Sequence, residues 1–152
     1  MDIEAELVAP CSTERLFSFV EDLSRYPAWN GLVTRATPED DGSWAVDLRG
    51  KLGPLARTKR LRMVRAEHRP PELVRFERTE LDGRDHSPWC LTAAVDPAPA
   101  EDGRPAARLR MTLQYGGGLF QPVVERLLRD EIDRSRERLL ALVAEGRPRP
   151  RP

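Results

Sequence analysis

Apolar and polar residues alternate from the start of the chain. Ile3, Ala5, Leu7 and Ala9 share one parity against Asp2, Glu4, Glu6 and Val8, which predicts a half-buried strand stopped by Pro10. The period then changes. Ser12 or Thr13 can cap a helix, Glu14 suits its first turn, and Leu16, Phe17, Val20 and Leu23 follow at helical spacing. Residues 23–29 read as a second short helix or a turn, ended near Pro27. From residue 32 to residue 115 the period is two. It predicts strands over residues 32–37, around Trp44, Val46 and Leu48, around Leu61 and Met63, around Val74 and Phe76, around Trp89, Leu91, Ala93 and Val95, and around Leu109, Met111, Leu113 and Tyr115. Pro70-Pro71 and the segment from Pro97 to Pro105 are expected turns, and Gly116-Gly117-Gly118 an expected strand-to-helix hinge. In the last element Phe120, Val124, Leu127, Leu128, Ile132, Leu139, Leu142 and Val143 form one stripe, predicting an amphipathic helix over residues 119–145. At 1.5 Å per residue it is about 40 Å long. Glu125–Arg129 and Asp130–Arg134 are expected i,i+4 pairs on its polar side, and Gly146 its stop.

Strands joined by short turns imply an antiparallel sheet with one wet face. The apolar face must be covered, and only the last helix is long enough. The fold class is therefore α+β, in the order β-α-α-β6-α. A curved sheet and a straight helix touch at one end and diverge at the other, so a cavity is expected between them.

Composition narrows this picture. With 152 residues and 39% hydrophobic content the chain suits one domain, expected over residues 1–146. The tail 147–152, Arg-Pro three times over, is expected to be an extended disordered coil. No apolar stretch approaches membrane-spanning length, and the acidic start lacks the apolar core of a signal peptide. Cys11 and Cys90 make neither a disulfide framework nor a zinc pattern, so a cytoplasmic protein without metal or cofactor is expected. Net charge is zero, which argues against a general nucleic-acid binder. The balance is local, however. Residues 1–47 carry ten acids and three bases, a net of −7, whereas residues 48–78 carry ten bases and three acids, a net of +7.

The run Phe19-Val20-Glu21-Asp22-Leu23-Ser24-Arg25-Tyr26-Pro27-Ala28-Trp29, following Ala9-Pro10, resembles a motif of bacterial polyketide cyclase/dehydrase-like members of the helix-grip (SRPBCC, START-like) superfamily. The glycine hinge and the closing long helix fit as well. The resemblance spans about residues 2–146. It implies a helix-grip fold, a curved antiparallel sheet of about seven strands wrapped around the C-terminal helix. It also implies a pocket for a hydrophobic or amphipathic small molecule, such as a lipid, a polyketide or a quinone-like ring. It supplies no universal catalytic motif. Tyr26, Pro27 and Trp29 are expected to be structural.

On the inward parity the candidate ligand-binding residues are Trp44, Val46, Leu61, Met63, Phe76, Arg78, Trp89, Leu91, Leu109, Met111, Leu113 and Tyr115, joined by Phe120, Val124 and Leu128 from the helix. The charged residues of that parity matter most for chemistry. If alternation holds to the strand ends, Arg57, Lys59, Arg78 and Glu80 project to the cavity mouth. The favoured alternative is that the strands leave the sheet there and the charges are solvated, because an unpaired buried charge costs several kcal/mol. Arg78, Glu80 and Tyr115 are the candidates for catalysis, as enolate stabiliser and proton shuttle. His68 and His86 are expected in surface turns, and Cys11 to be structural.

Three functions compete at this point. The first is non-catalytic binding of a hydrophobic ligand. The second is a polyketide aromatase/cyclase or dehydratase in the same cavity. The third is a docking module that uses the basic strands and the Arg-Pro tail. Oligomeric state and ligand identity are not readable from the sequence.

Overall fold

The computed structural model describes residues 2–49, 58–99, 101–116 and 121–145, with residues 101 and 121–124 by backbone alone. The expected element order is observed. Strand β1 (Asp2–Ala9) leads into α1 (Thr13–Val20) and a 3₁₀ helix (Leu23–Ala28). Six strands follow, β2 (Val33–Pro38), β3 (Trp44–Leu48), β4 (Lys59–Arg69), β5 (Leu73–Arg78), β6 (Trp89–Ala98) and β7 (Ala106–Tyr115), and then α2 (Gln121–Ala144). All seven strands form one antiparallel sheet in the order β1-β7-β6-β5-β4-β3-β2. The first strand thus closes against the last, and α1 with the 3₁₀ helix carries the chain from one sheet edge to the other.

Local chemistry accounts for the helices. Ser12 is the N-cap of α1 and accepts from the Arg15 N–H at 3.1 Å. Arg15 in turn caps α2, donating from Nε and Nη2 to the Val143 carbonyl at 3.1 and 3.0 Å and from Nη2 to that of Glu145. A helix C-terminus leaves such carbonyls without partners, and a guanidinium suits them in both hydrogen bonding and dipole sign. One arginine therefore pins the far end of α2 onto α1.

Three expectations need correction. First, β6 runs through Pro97, which pairs with Ala107, instead of turning there. The Val95 N–H still donates to Glu72, but beyond it β5 no longer flanks β6, and proline is tolerated on such a free edge. Second, His68 lies in β4 rather than in a turn. A bulge between Arg65 and Glu67 reverses the strand's parity, so His68 pairs with Val74 and stacks on Phe17 at 6.0 Å. Third, Arg134 pairs with Glu131 at 2.9 Å and not with Asp130, because Glu131 is buried and needs a cation. Glu125–Arg129 forms as expected, at 2.9 Å.

The outer face of the sheet explains the uneven charge. Arg60 pairs with Asp47 at 2.7 Å, Arg62 with Asp41 at 2.9 Å, Arg75 with Glu67 and Glu77 at 3.3 and 3.0 Å, and Arg108 with Glu6 at 2.8 Å. The acids of the first 47 residues thus neutralise part of the basic block across strands. Each such pair contributes only about 0–1 kcal/mol. Their consequence is that the arginines of this face are already engaged with the sheet's own carboxylates. Arg57, Gly146 and the Arg-Pro tail lie outside the described residues.

Candidate ligand cavity

The concave face holds two adjoining cavities of about 90 Å³ each. The β1-side lobe lies between β1, β7 and α2, bordered by Ile3, Leu7, Leu109, Met111, Ile132, Ser135 and Leu139. The β3-side lobe lies over β3, β4 and β6, bordered by Leu23, Tyr26, Val46, Leu48, Leu61, Met63 and Trp89. Asn30, Leu32, Leu91, Leu113 and Leu128 border both. The lobes are therefore two ends of one apolar space with a common, mainly aliphatic wall.

The segment from Tyr26 to Leu32 forms one side of this space, and it is fixed from two directions. The Tyr26 hydroxyl donates to the Val20 carbonyl at 2.9 Å, and the Trp29 indole N–H donates to that of Phe19 at 3.3 Å. The two rings meet at 4.7 Å. Asn30 Oδ1 accepts from the Leu32 N–H at 3.0 Å, tightening the bend. From the other side α2 presses Glu131 against Gly31. A Cβ at residue 31 would meet Glu131 Oε1 at 2.0 Å. The Glu131 side chain is 6% exposed and is held by Arg134 and Arg138, both at 2.9 Å, and by the Ser135 hydroxyl at 3.3 Å. Burial raises its pKa, but hydrogen bonds from the two arginines outweigh that and hold the carboxyl below its ordinary value. Arg138 Nη1 also donates to the Trp29 carbonyl at 3.5 Å, which joins α2 to the loop beside the cavity.

At the end of β5 the inward parity persists. Arg78 pairs in register with Met63, and its side chain is only 8% exposed. The favoured expectation of solvated charges is thus overturned for Arg78 and its partner Glu80, whereas Lys59 is exposed. Arg78 Nε donates to Glu80 at 2.9 Å, and Nη1 donates to the Ser87 carbonyl at 3.2 Å. Glu80 also accepts from the Arg62 N–H at 3.0 Å. Burial raises the Glu80 pKa, but those hydrogen bonds lower it further, so the carboxylate stays ionised. Pairing removes the cost that made burial look improbable. Neither residue borders a lobe. His86, in the following loop, lies 2.8 Å from Asp82 and 3.3 Å from Arg78. Tyr115 is buried, stacks on Trp89 at 5.3 Å and sits outside both lobes, with its phenol pKa raised by burial and then by Glu125.

This architecture has clear relatives. Residues 1–144 match the family described as polyketide cyclase / dehydrase and lipid transport. The chain belongs to that family. No curated protein matches the sequence. Among solved structures, a START superfamily protein from Mycobacterium smegmatis superposes with a TM-score of 0.69 at 14% identity, over 93% of this chain and 96% of that one. A Deinococcus radiodurans protein gives 0.65 at 19% identity, over 93% and 99%. The di-domain ARO/CYC BexL gives 0.60 at 14% identity, over 97% of this chain and 51% of that one. At such identities the likeness shows the fold alone, which is the helix-grip (START-like) fold.

In this polyketide cyclase/dehydrase and lipid transport family member, the strand parity places Val46, Leu61, Met63, Trp89, Leu91, Leu109, Met111 and Leu113 at the lobes, and α2 adds Leu128. It places Trp44 and Phe76 in the solid core instead, edge-on at 5.6 Å. Phe120 and the Val124 side chain lie outside the described residues. Sequence reasoning missed Ile3 and Leu7, because β1 was read only as a half-buried strand and its place beside β7 is set by long-range pairing. It also missed Asn30 and Leu32, and Ser135. The last was within reach, since the helical spacing of Leu128, Ile132 and Leu139 passes through residue 135. Among the described residues no group of His, Cys, Asp or Glu is placed to hold a metal, and no helix is long and apolar enough to cross a membrane.

Proposed function

We propose that the protein binds a hydrophobic or amphipathic small molecule of lipid, polyketide or quinone-like character between its sheet and α2, acting in the cytoplasm. The observation that carries this reading is the pair of apolar lobes with a common aliphatic wall. A typical ligand site holds about 300–1,000 Å³, so a ligand spanning both lobes must part that wall. Leucine and methionine rotamers supply the adjustment. Family membership supports the reading, since lipid transport is part of the family's description. The alternative, cyclase or dehydratase chemistry in the same space, needs an acid–base pair at the lobes. Arg78 and Glu80 are engaged with each other and border neither, so binding is favoured.

Fluorescence titration with the neutral apolar probe N-phenyl-1-naphthylamine tests this, together with solvent extraction of the purified protein and mass spectrometry. Saturable probe binding displaced by a fatty alcohol is expected. Absence of both saturable binding and any co-purified apolar molecule contradicts the reading.

A further inference from the structure

Two polar groups, on Trp89 of the β3-side lobe and on exposed Lys59 over its ring, lack the partners that comparable groups elsewhere possess. The first is the indole N–H of Trp89. Its nitrogen is buried and has no hydrogen-bond partner. The Trp29 indole, by contrast, donates to a carbonyl. A buried unsatisfied donor is costly, and one beside a cavity is served at little further cost by a ligand that brings an acceptor. The Trp44 indole N–H is also unpaired, but that ring packs edge-on against Phe76 and borders neither lobe.

The second is the ammonium of Lys59. Lys59 pairs in register with Leu48, which borders the same lobe, and its Nζ stands 5.6 Å above the Trp89 ring. Its hydrogen-bond partner is the neutral Ser87 hydroxyl at 3.3 Å. Among the described residues no carboxylate pairs with it, whereas neighbouring Arg78 has Glu80 and Arg60 has Asp47. Desolvation and then the Arg78 charge lower its pKa, so the site disfavours its own cation and gains from an anion. A cation over an indole face, beside that indole's unused N–H, gives a negatively charged oxygen both an ion-pair and a hydrogen-bond partner.

We propose that the β3-side lobe is the head-group end of the cavity, and that it takes a carboxylate-bearing amphiphile whose oxygen accepts the Trp89 N–H and pairs with Lys59. The apolar chain runs past Leu91 and Leu113 toward Met111 in the β1-side lobe. This rests on the reading of the cavity as a ligand site and adds a charge and a direction to it.

The test compares decanoate with 1-decanol, which differ in the head group and share the chain. Each displaces N-phenyl-1-naphthylamine at neutral pH and low salt. Decanoate is expected to bind about tenfold more tightly. Lys59→Met, a change at an exposed position, is expected to erase that preference by weakening decanoate far more than decanol. Trp89→Phe keeps an aromatic side chain without the N–H and is expected to weaken decanoate more than decanol. Equal affinities in the natural protein, or a preference that survives Lys59→Met, overturn the proposal and leave the cavity reading standing. Binding of neither chain overturns both.

Discussion

The two ends of the concave face are made from the same strands, yet one is solid and the other hollow. Under α1 and the 3₁₀ helix the space is filled by rings. Phe17, Tyr26 and Phe76 are at most 1% exposed, and Phe76 meets both Tyr26 and Trp44 edge-on, at 6.2 and 5.6 Å. Under the middle of α2 the wall is aliphatic, and the helix contributes Ser135 at the centre of its inner face. Ring volume with an anchored hydroxyl or N–H locks an element at one distance from the sheet. Unbranched or γ-branched side chains on a helix tied down elsewhere leave a gap. Arg15 ties the end of α2, and Glu131 packs its middle closely against Gly31. The hollow is thus a consequence of where the helix is fastened.

Substitutions can break this contrast. The largest effect is expected at the solid end, where Phe76→Ala should cost about 3–5 kcal/mol in urea unfolding, because the packed rings cannot collapse into the void. A loss below about 1 kcal/mol would mean that this end is as loosely filled as the other. Next is the fastening. Gly31→Ala should cost about 1–3 kcal/mol by forcing Glu131 away. Most of that loss should vanish in the Gly31→Ala, Glu131→Ala double variant measured against Glu131→Ala alone. Additive costs would show that the contact does not hold the loop.

The same fastening makes a pH prediction. The folded-state pKa of Glu131 lies below its ordinary 4.5, so its contribution is complete above that value and is lost as pH falls through the depressed one. Glu131→Gln should therefore lower the urea midpoint at neutral pH, and the gap should narrow well below pH 4.5. A gap independent of pH would contradict this. The smallest stability effect belongs to the hollow end. Leu91→Phe should change stability by less than about 1.5 kcal/mol, since it grows into open space, while weakening N-phenyl-1-naphthylamine about tenfold or more.

The contrast was only half legible in the sequence. Alternation and helical spacing marked every strand and both α-helices, and the parity of β3, β4, β6 and β7 marked residues that reach the concave face. It could not separate Phe76 from Leu91, because both point inward and only the position of α2 decides which one meets a void. The bulge at Arg65–Glu67 was invisible for a similar reason, since it is defined by pairing with β5. The burial of Arg78 was judged against the cost of a lone charge, whereas Glu80, two residues on, supplied its partner. The loop at Asn30–Leu32 carries no periodicity, and its role follows from Glu131, a hundred residues away.

Methyl-resolved NMR of the labelled protein titrated with 1-decanol tests the hollow end most directly. Binding between sheet and α2 predicts large shift changes at Ile3, Leu91, Met111, Leu113 and Ile132, with Leu16 and Val74 of the solid end unmoved. Changes confined to the solid end, or scattered over the outer sheet face, would contradict it.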